Sequence, residues 1–256
     1  MKLTFLGSGS SFSTYETNFH SNMLLESQAQ KYLLIDCGAD ARHSLKKAGF
    51  SASDIDAVYI SHFHADHAGG LEWLAFSRYL NPGRPKPTLF IHPTMINTLW
   101  DRVLSGGLQS LAGETPATIN TYFTVGPIIN KHYFVWEDIK FEFVPVTHVF
   151  NANSLIPSYG LFFKLNNTQL FITTDTKFMP EEYKYFYESA DIIFHDCETS
   201  KKVTSVHPRF EDLAKLSPEI KSKMWLYHYS DGPLPNAQAR GFKGFVQRGQ
   251  VFNFAP

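Results

Sequence analysis

ISHFHADHAGG, residues 60–70, places three histidines and an aspartate within six positions: His62, His64, Asp66 and His67. An apolar run, AVYI at 57–60, leads in, and the pair Gly69-Gly70 follows. Neutral imidazole and carboxylate are the ligands that a borderline ion such as zinc prefers. His62 and His64 are two apart, so an extended backbone points both the same way. Asp66 and His67 lie just beyond, where they can serve a second ion. The competing reading is four solvated polar residues in a loop. With 11 histidines in 256 residues, chance seldom gathers three of them around one acid.

Matching candidates recur further along the chain. The alternating segment KFEFVPV, 140–146, ends at Thr147-His148. A second apolar run, 170–174, ends at Asp175, and a third, 224–227, ends at His228. Each strand-like run delivers a histidine or aspartate at its C-terminal end, which is how an open sheet builds a site along one edge. Taken singly, each of these residues reads more readily as structural than as a ligand. Their order behind an intact first motif reverses that.

H-x-H-x-D-H is the signature of the metallo-β-lactamase superfamily, and the chain resembles that superfamily along nearly its whole length. The resemblance implies a four-layered αβ/βα sandwich, with residues 1–256 forming a single hydrolase domain. It implies two metal ions, zinc or alternatively manganese. His62, His64 and His148 would hold the first, Asp66, His67 and His228 the second, and Asp175 would bridge both. Two such ions share a hydroxide that is nucleophilic near neutral pH, and they stabilise charge building on a phosphate or carbonyl oxygen. Asp36 ends a strand in LIDCG, where family members use an aspartate to orient a ligand imidazole. An aspartate capping a turn is the equal alternative.

Within the superfamily, FLGSGSS at the start, TTDT around Asp175, HYSD at His228 and HDCE at 195–198 resemble the RNase Z branch of phosphodiesterases. That likeness makes His195 the residue that protonates the leaving oxygen, beside Asp66 and Asp175 in the catalytic set. A structural histidine at a strand end is the alternative for His195. His207, before a proline, could line the pocket; His43 reads as solvent-exposed, and His20, His92 and His132 carry weaker signals.

Transfer-RNA processing enzymes of that branch carry a proline- and basic-containing loop after the first strand and a glycine-rich clamping arm between the third histidine and the bridging aspartate. Here SFSTYETNFHSN follows the first strand, and only 26 residues separate His148 from Asp175. The pattern then resembles small-substrate relatives, the cyclic-nucleotide phosphodiesterases that include phage anti-Pycsar nucleases. Their activity implies opening of a 3′,5′-cyclic mononucleotide to a nucleotide monophosphate, and their assembly implies a homodimer. An RNase Z-type endonuclease, a lactonase or thiolesterase, and a non-catalytic binding module on the same fold are the competing classes.

Composition bounds these readings. Hydrophobic residues make up 43% and charged residues 18%, which supports a buried core. A net charge of −1 and scattered lysines supply no basic stripe for stable binding of a long nucleic acid. Two cysteines, Cys37 and Cys197, make no disulfide framework. No signal peptide and no membrane-spanning run is evident, so a cytoplasmic protein is expected.

The pattern predicts strands at 2–6, 23–25, 32–35, 57–60, 88–92, 133–136, 140–146, 159–165, 169–174 and 192–194. Helices are expected at 39–48, 71–80, 94–104, about 180–189 and 210–216. On the helix at 94–104, Leu99, Val103 and Leu104 would share one side. The glycine-rich stretch 105–121 reads as a mobile loop or lid, with Tyr122 and Phe123 as candidates to stack on a base.

Overall fold

A computed structural model describes residues 1–254 apart from 15, 112, 114, 152 and 153. The first half supplies β1 (Lys2–Phe5), β2 (Met23–Glu26), β3 (Tyr32–Ile35), β4 (Ala57–Ile60), β5 (Thr88–Ile91) and β6 (Thr124–Val125). The second supplies β7 (Tyr133–Trp136), β8 (Ile139–Asn151), β9 (Ser154–Leu165), β10 (Thr168–Ile172), β11 (Ile192–Asp196), β12 (Met224–Tyr227), β13 (Gly244–Phe245) and β14 (Val251–Asn253). They form two seven-stranded sheets, β14-β1-β2-β3-β4-β5-β6 and β13-β12-β11-β10-β9-β8-β7.

Side-chain parity explains how the sheets stack. Along β1 the residues alternate between half-buried and buried, as befits a strand near an edge. AVYI of β4 is buried at every position because a parallel strand in mid-sheet is covered on both faces. Leu3, Phe5, Leu33 and Tyr59 of the first sheet meet Phe134, Phe141, Phe163 and Phe194 of the second in one core. The outer face of the first sheet packs Leu34, Val58 and Leu89 against Leu45, Leu71 and Leu74 of the helices Ala41–Lys47 and Leu71–Tyr79. The outer face of the second packs Phe171, Ile193 and Leu226 against Tyr187 of Lys184–Ser189 and Phe210 and Leu213 of Phe210–Leu213. Helices, sheet, sheet and helices give the four-layered sandwich.

Several elements differ from the sequence-based expectation. The strand expected to stop at 146 runs on to Asn151, because VFN continues its apolar pattern. It keeps pairing with β9 across a register shift between Val146 and Val149. Such a bulge re-aims side chains, and His148 sits in it. The strand expected at 192–194 extends to Asp196, which places His195 inside it. The helix at 94–104 is a short α-helix, Ile96–Thr98, followed by a π-helix, Leu99–Leu104. The wider turn keeps Leu99 and Leu104 buried but turns Val103 outward. The helices expected at 180–189 and 210–216 shorten to Lys184–Ser189 and Phe210–Leu213.

The expected lid is not a free loop where it is described. It opens with the helical turn Ser105–Leu108, Leu108 and Ala117 are buried, and the Tyr122 hydroxyl donates to the Leu108 carbonyl at 2.6 Å. Tyr122 and Phe123 are each only 1% exposed, locked in the core outside the first sheet. They cannot stack on a ligand, because their ring faces are already spent on packing.

The loop after β3 is stapled to the short helix Ala65–Ala68 that follows the histidine motif. The Cys37 amide donates to the His67 carbonyl at 2.7 Å and the Ala39 amide to the Ala65 carbonyl at 2.9 Å. Between them Gly38 has no room for a side chain: a Cβ would lie 2.1 Å from the Asp66 carbonyl oxygen. Gly38→Ala is therefore expected to cost about 1–3 kcal/mol, or several degrees of Tm at roughly 2–4 °C per kcal/mol in a chain this size. A thermal melt of the variant checks this; an unchanged Tm would mean the two segments part without cost.

Candidate metal centre

The C-terminal ends of the parallel strands from both sheets gather at one edge. Asp36 follows β3, His62 and His64 follow β4, Asp175 follows β10 and His228 follows β12. Asp36, Thr174 and His228 each adopt a positive φ, at 60°, 53° and 62°. Non-glycine residues seldom do so, and clusters of such strain are typical of functional sites. The opening FLGSGSS contributes a support here: the Ser8 carbonyl accepts the amides of His228 at 2.8 Å and Tyr229 at 3.3 Å.

Two ligand sets emerge, and they share one carboxylate. His62, His64, His148 and Asp175 form the first; Asp66, His67, His228 and Asp175 form the second. In each set the offered atoms lie within 4.8 Å of one another. Asp175 Oδ2 stands 3.2 Å from His67 Nε2, 3.3 Å from His228 Nε2, 3.7 Å from His62 Nε2 and 3.8 Å from His148 Nε2. All seven sequence candidates are thus brought together.

The rear nitrogens of the imidazoles are tied back. His67 Nδ1 donates to Asp36 Oδ2 at 2.7 Å. His62 Nδ1 meets Ser61 Oγ at 3.0 Å, and Ser61 Oγ donates to Asp36 Oδ2 at 2.8 Å. His148 Nδ1 donates to the Val206 carbonyl at 3.0 Å. His228 Nδ1 faces Asp196 Oδ1 at 3.3 Å. These partners select the tautomer that turns a lone pair of His62 and His148 into the site.

A cation fits this arrangement, and little else does. His62 Nε2 and His148 Nε2 approach His64 Nδ1 to 3.0 and 3.2 Å, and one ring proton cannot satisfy both. Burial pushes His62, His64 and His148 below the usual imidazole range, His148 to about 4, so they stand neutral with lone pairs converging. On the other side burial opposes charge on His67 and His228, but Asp175 and the neighbouring carboxylates outweigh it and hold both pKa values up. His67 Nε2 and Asp175 Oδ1 are sealed from solvent without a hydrogen bond. Orphaned donors and acceptors of this kind mark a place for an ion.

His195 lies elsewhere, which corrects the reading of HDCE. Neighbouring residues on a strand face opposite ways. Asp196 looks toward the metal-site edge, so His195 looks into the outer core. It is fully buried; its Nε2 accepts from the Tyr187 hydroxyl at 2.6 Å and its Nδ1 donates to the Asp196 carbonyl at 2.7 Å. With both nitrogens used and no path to the centre, it cannot protonate a leaving group there.

His207, unlike His195, lies beside the ligand sets. Its Nδ1 donates to Asp196 Oδ2 at 2.6 Å, and its ring lies 4.9 Å from that of His148 and 4.8 Å from that of His228. Burial lowers its pKa, but Asp196 more than compensates, so the pKa stands above the usual imidazole value. Asp175, Asp196, His207 and His228 also satisfy the spacing of a metal group. The signal for His207 in the sequence was weak, since it stands in a loop with no periodicity. The parity of HDCE, which aims the acid rather than the histidine inward, was the missed clue.

Comparison with known proteins agrees with this fold. The family model described as "Anti-Pycsar protein Apyc1" matches residues 1–252. The chain is 35% identical over 233 residues to the anti-Pycsar protein Apyc1 of Paenibacillus harenae, covering 90% of each chain. It is 31% identical over 262 residues to that of Bacillus phage 010DV004, covering 98% of each. Among solved structures it resembles the metallo-β-lactamase fold protein YhfI of Bacillus subtilis, with a TM-score of 0.76, 18% identity and 98% of each chain covered. Human tRNase Z, short form, aligns with a TM-score of 0.70, 17% identity and all of both chains covered.

The placement of His195 has a consequence for acid stability. Burial lowers its folded pKa to about 4, against an unfolded value of roughly 6.5. Between those values the unfolded chain takes up a proton that the folded chain refuses, so stability falls as pH drops through that window. His195→Gln is expected to flatten the denaturant-measured stability between about pH 4 and 6.5 relative to the parent. Equal slopes in parent and variant would show that position 195 does not titrate on unfolding.

Proposed function

The chain belongs to the anti-Pycsar protein Apyc1 family, and on that premise we propose that it is a metal-dependent phosphodiesterase that opens small 3′,5′-cyclic nucleotides to nucleotide monophosphates. The observation that carries this reading is the convergence of two N/O ligand sets on Asp175. Two zinc ions held there would supply Lewis acidity toward phosphate oxygens and lower the pKa of water enough for attack at neutral pH. His62, His64 and His148 would hold one ion, and Asp66, His67 and His228 the other. Asp175 would set their separation and screen their mutual repulsion.

The remaining chemistry belongs to the chain. His207, fixed by Asp196, would carry the proton and deliver it from Nε2 to the departing 3′-oxygen of the ribose. Asp36 would hold His62, through Ser61, and His67 in register. The 26 residues between His148 and Asp175 are occupied by the tail of β8, β9 and β10, so among the described residues no RNA-clamping arm is inserted. A net charge of −1 gives little long-range attraction for a large polyanion. Both favour a small substrate.

Three experiments test this. Zinc-supplemented protein should contain two zinc ions per chain by elemental analysis, and Asp175→Ala should lose metal and activity together. Cyclic AMP, GMP, CMP and UMP should be hydrolysed, whereas efficient trimming of precursor transfer RNA with no action on cyclic nucleotides would overturn the reading. His207→Ala should retain both ions yet slow cyclic AMP hydrolysis by roughly 10²–10⁴-fold, the usual span for a general acid. Cleavage of a p-nitrophenyl ester should suffer far less, because that leaving group barely needs a proton. Equal losses on both substrates would remove His207 from that role.

A further inference from the structure

Two clefts open beside the metal centre, and they differ in size and wall. One, of about 190 Å³, lies against His207 and His228 and is edged by Phe12 and Lys202. The other, of about 430 Å³, has His62 and His64 in its own lining. Small-molecule pockets usually fall between roughly 300 and 1,000 Å³, which only the second reaches. Its walls are Phe63, Met95, Val103, Leu155, Ile156 and Pro157, with Arg102 at the rim.

Two irregular elements build those walls. The π-helix Leu99–Leu104 turns Arg102 and Val103 toward the cleft instead of the core. Such π-helical turns are rare and cluster at functional sites. The opposite wall is the part of β9 that pairs with β8 beyond the bulge, the segment that extends past His148. Val103 and Leu155 are 37% and 41% exposed, apolar side chains left to solvent beside a polar centre. Among the described residues of the lining, Arg102 is the one guanidinium, and none is a carboxylate or a side-chain amide.

We propose that this cleft, between the π-helical turn and the bulged hairpin, is the pocket for the nucleobase of the substrate, and that Arg102 biases it toward guanine. The inference rests on the cyclic-nucleotide reading above. With the phosphate at the centre, the adjoining cleft receives a flat apolar ring face against Val103 on one side and Leu155 and Ile156 on the other. Stacking on apolar walls tolerates any base. Guanine presents two acceptors, O6 and N7, to one guanidinium, while adenine presents one acceptor and one donor along the same edge. Recognition is therefore broad, with one bias.

The test compares zinc-loaded parent, Val103→Trp, Leu155→Trp, Arg102→Ala and Phe12→Ala on cyclic AMP, cyclic GMP and methyl p-nitrophenyl phosphate, a phosphodiester without a base. Both tryptophan variants replace partly exposed residues, and thermal melts verify their folding. Each is expected to lower the ratio of kcat/KM on cyclic AMP to that on the baseless ester by about tenfold or more, through KM. Arg102→Ala should lower cyclic GMP hydrolysis more than cyclic AMP hydrolysis. Unchanged ratios in both tryptophan variants overturn the pocket; if Phe12→Ala then lowers the ratio, the base lies in the smaller cleft instead. An unchanged GMP-to-AMP preference in Arg102→Ala overturns the role of that residue. A parent that cleaves the baseless ester but no cyclic nucleotide refutes the functional reading itself, and the pocket assignment falls with it.

Discussion

One buried carboxylate, Asp36, governs the geometry at the edge of the first sheet. It accepts the Ser61 amide, the Ser61 hydroxyl and the Nδ1–H of His67, each within 2.8 Å. Through Ser61 it also fixes His62. A single side chain therefore aims one imidazole from each ligand set. Its backbone stands at a positive φ, which an L-residue adopts at a cost. The close seat of Gly38 against the Asp66 carbonyl keeps that turn where the aspartate can reach both rings.

The second sheet repeats the device. Asp196 ends β11 as Asp36 follows β3, and each precedes a buried cysteine, Cys37 or Cys197. Asp196 faces His228 and His207, as Asp36 faces His67 and, through Ser61, His62. Each sheet thus carries its own acid to orient its own histidines. Among the described residues, Asp175 is the one candidate ligand that belongs to both sets. Orientation is local to a sheet, whereas assembly of the centre requires both.

How much of this the sequence disclosed depended on whether local chemistry or strand parity carried the signal. The four residues of the first motif are packed so densely that composition alone marked them. His148, Asp175 and His228 were legible because each ends or interrupts a strong apolar run. The role of Asp36 was an even choice, since a turn cap and an imidazole anchor look alike before the fold brings His67 beside it. His195 misled because HDCE suggests a histidine at a strand end, yet the strand runs one residue past it and reverses its direction. His207 stayed faint because its partner Asp196 is eleven residues away and meets it only through a loop. Tyr122 and Phe123 misled in the opposite way: aromatic residues beside a glycine-rich stretch resemble a ligand contact, but tertiary packing claimed them for the core.

Because Asp175 and the histidines come from two sheets that face each other across a shared aromatic core, ions at this edge would act as rivets between the layers. Binding that requires both sheets in place adds its free energy to their docking, in proportion to the logarithm of free metal over the dissociation constant. In the bare chain His67 and His228 face Asp66 and Asp175, while the lone pairs of His62, His64 and His148 converge without a shared partner. With ions held there, the lifetime of the chain in a cell would follow the metal supply, and a metal-starved cell would lose the protein by unfolding and proteolysis as well as by inactivity.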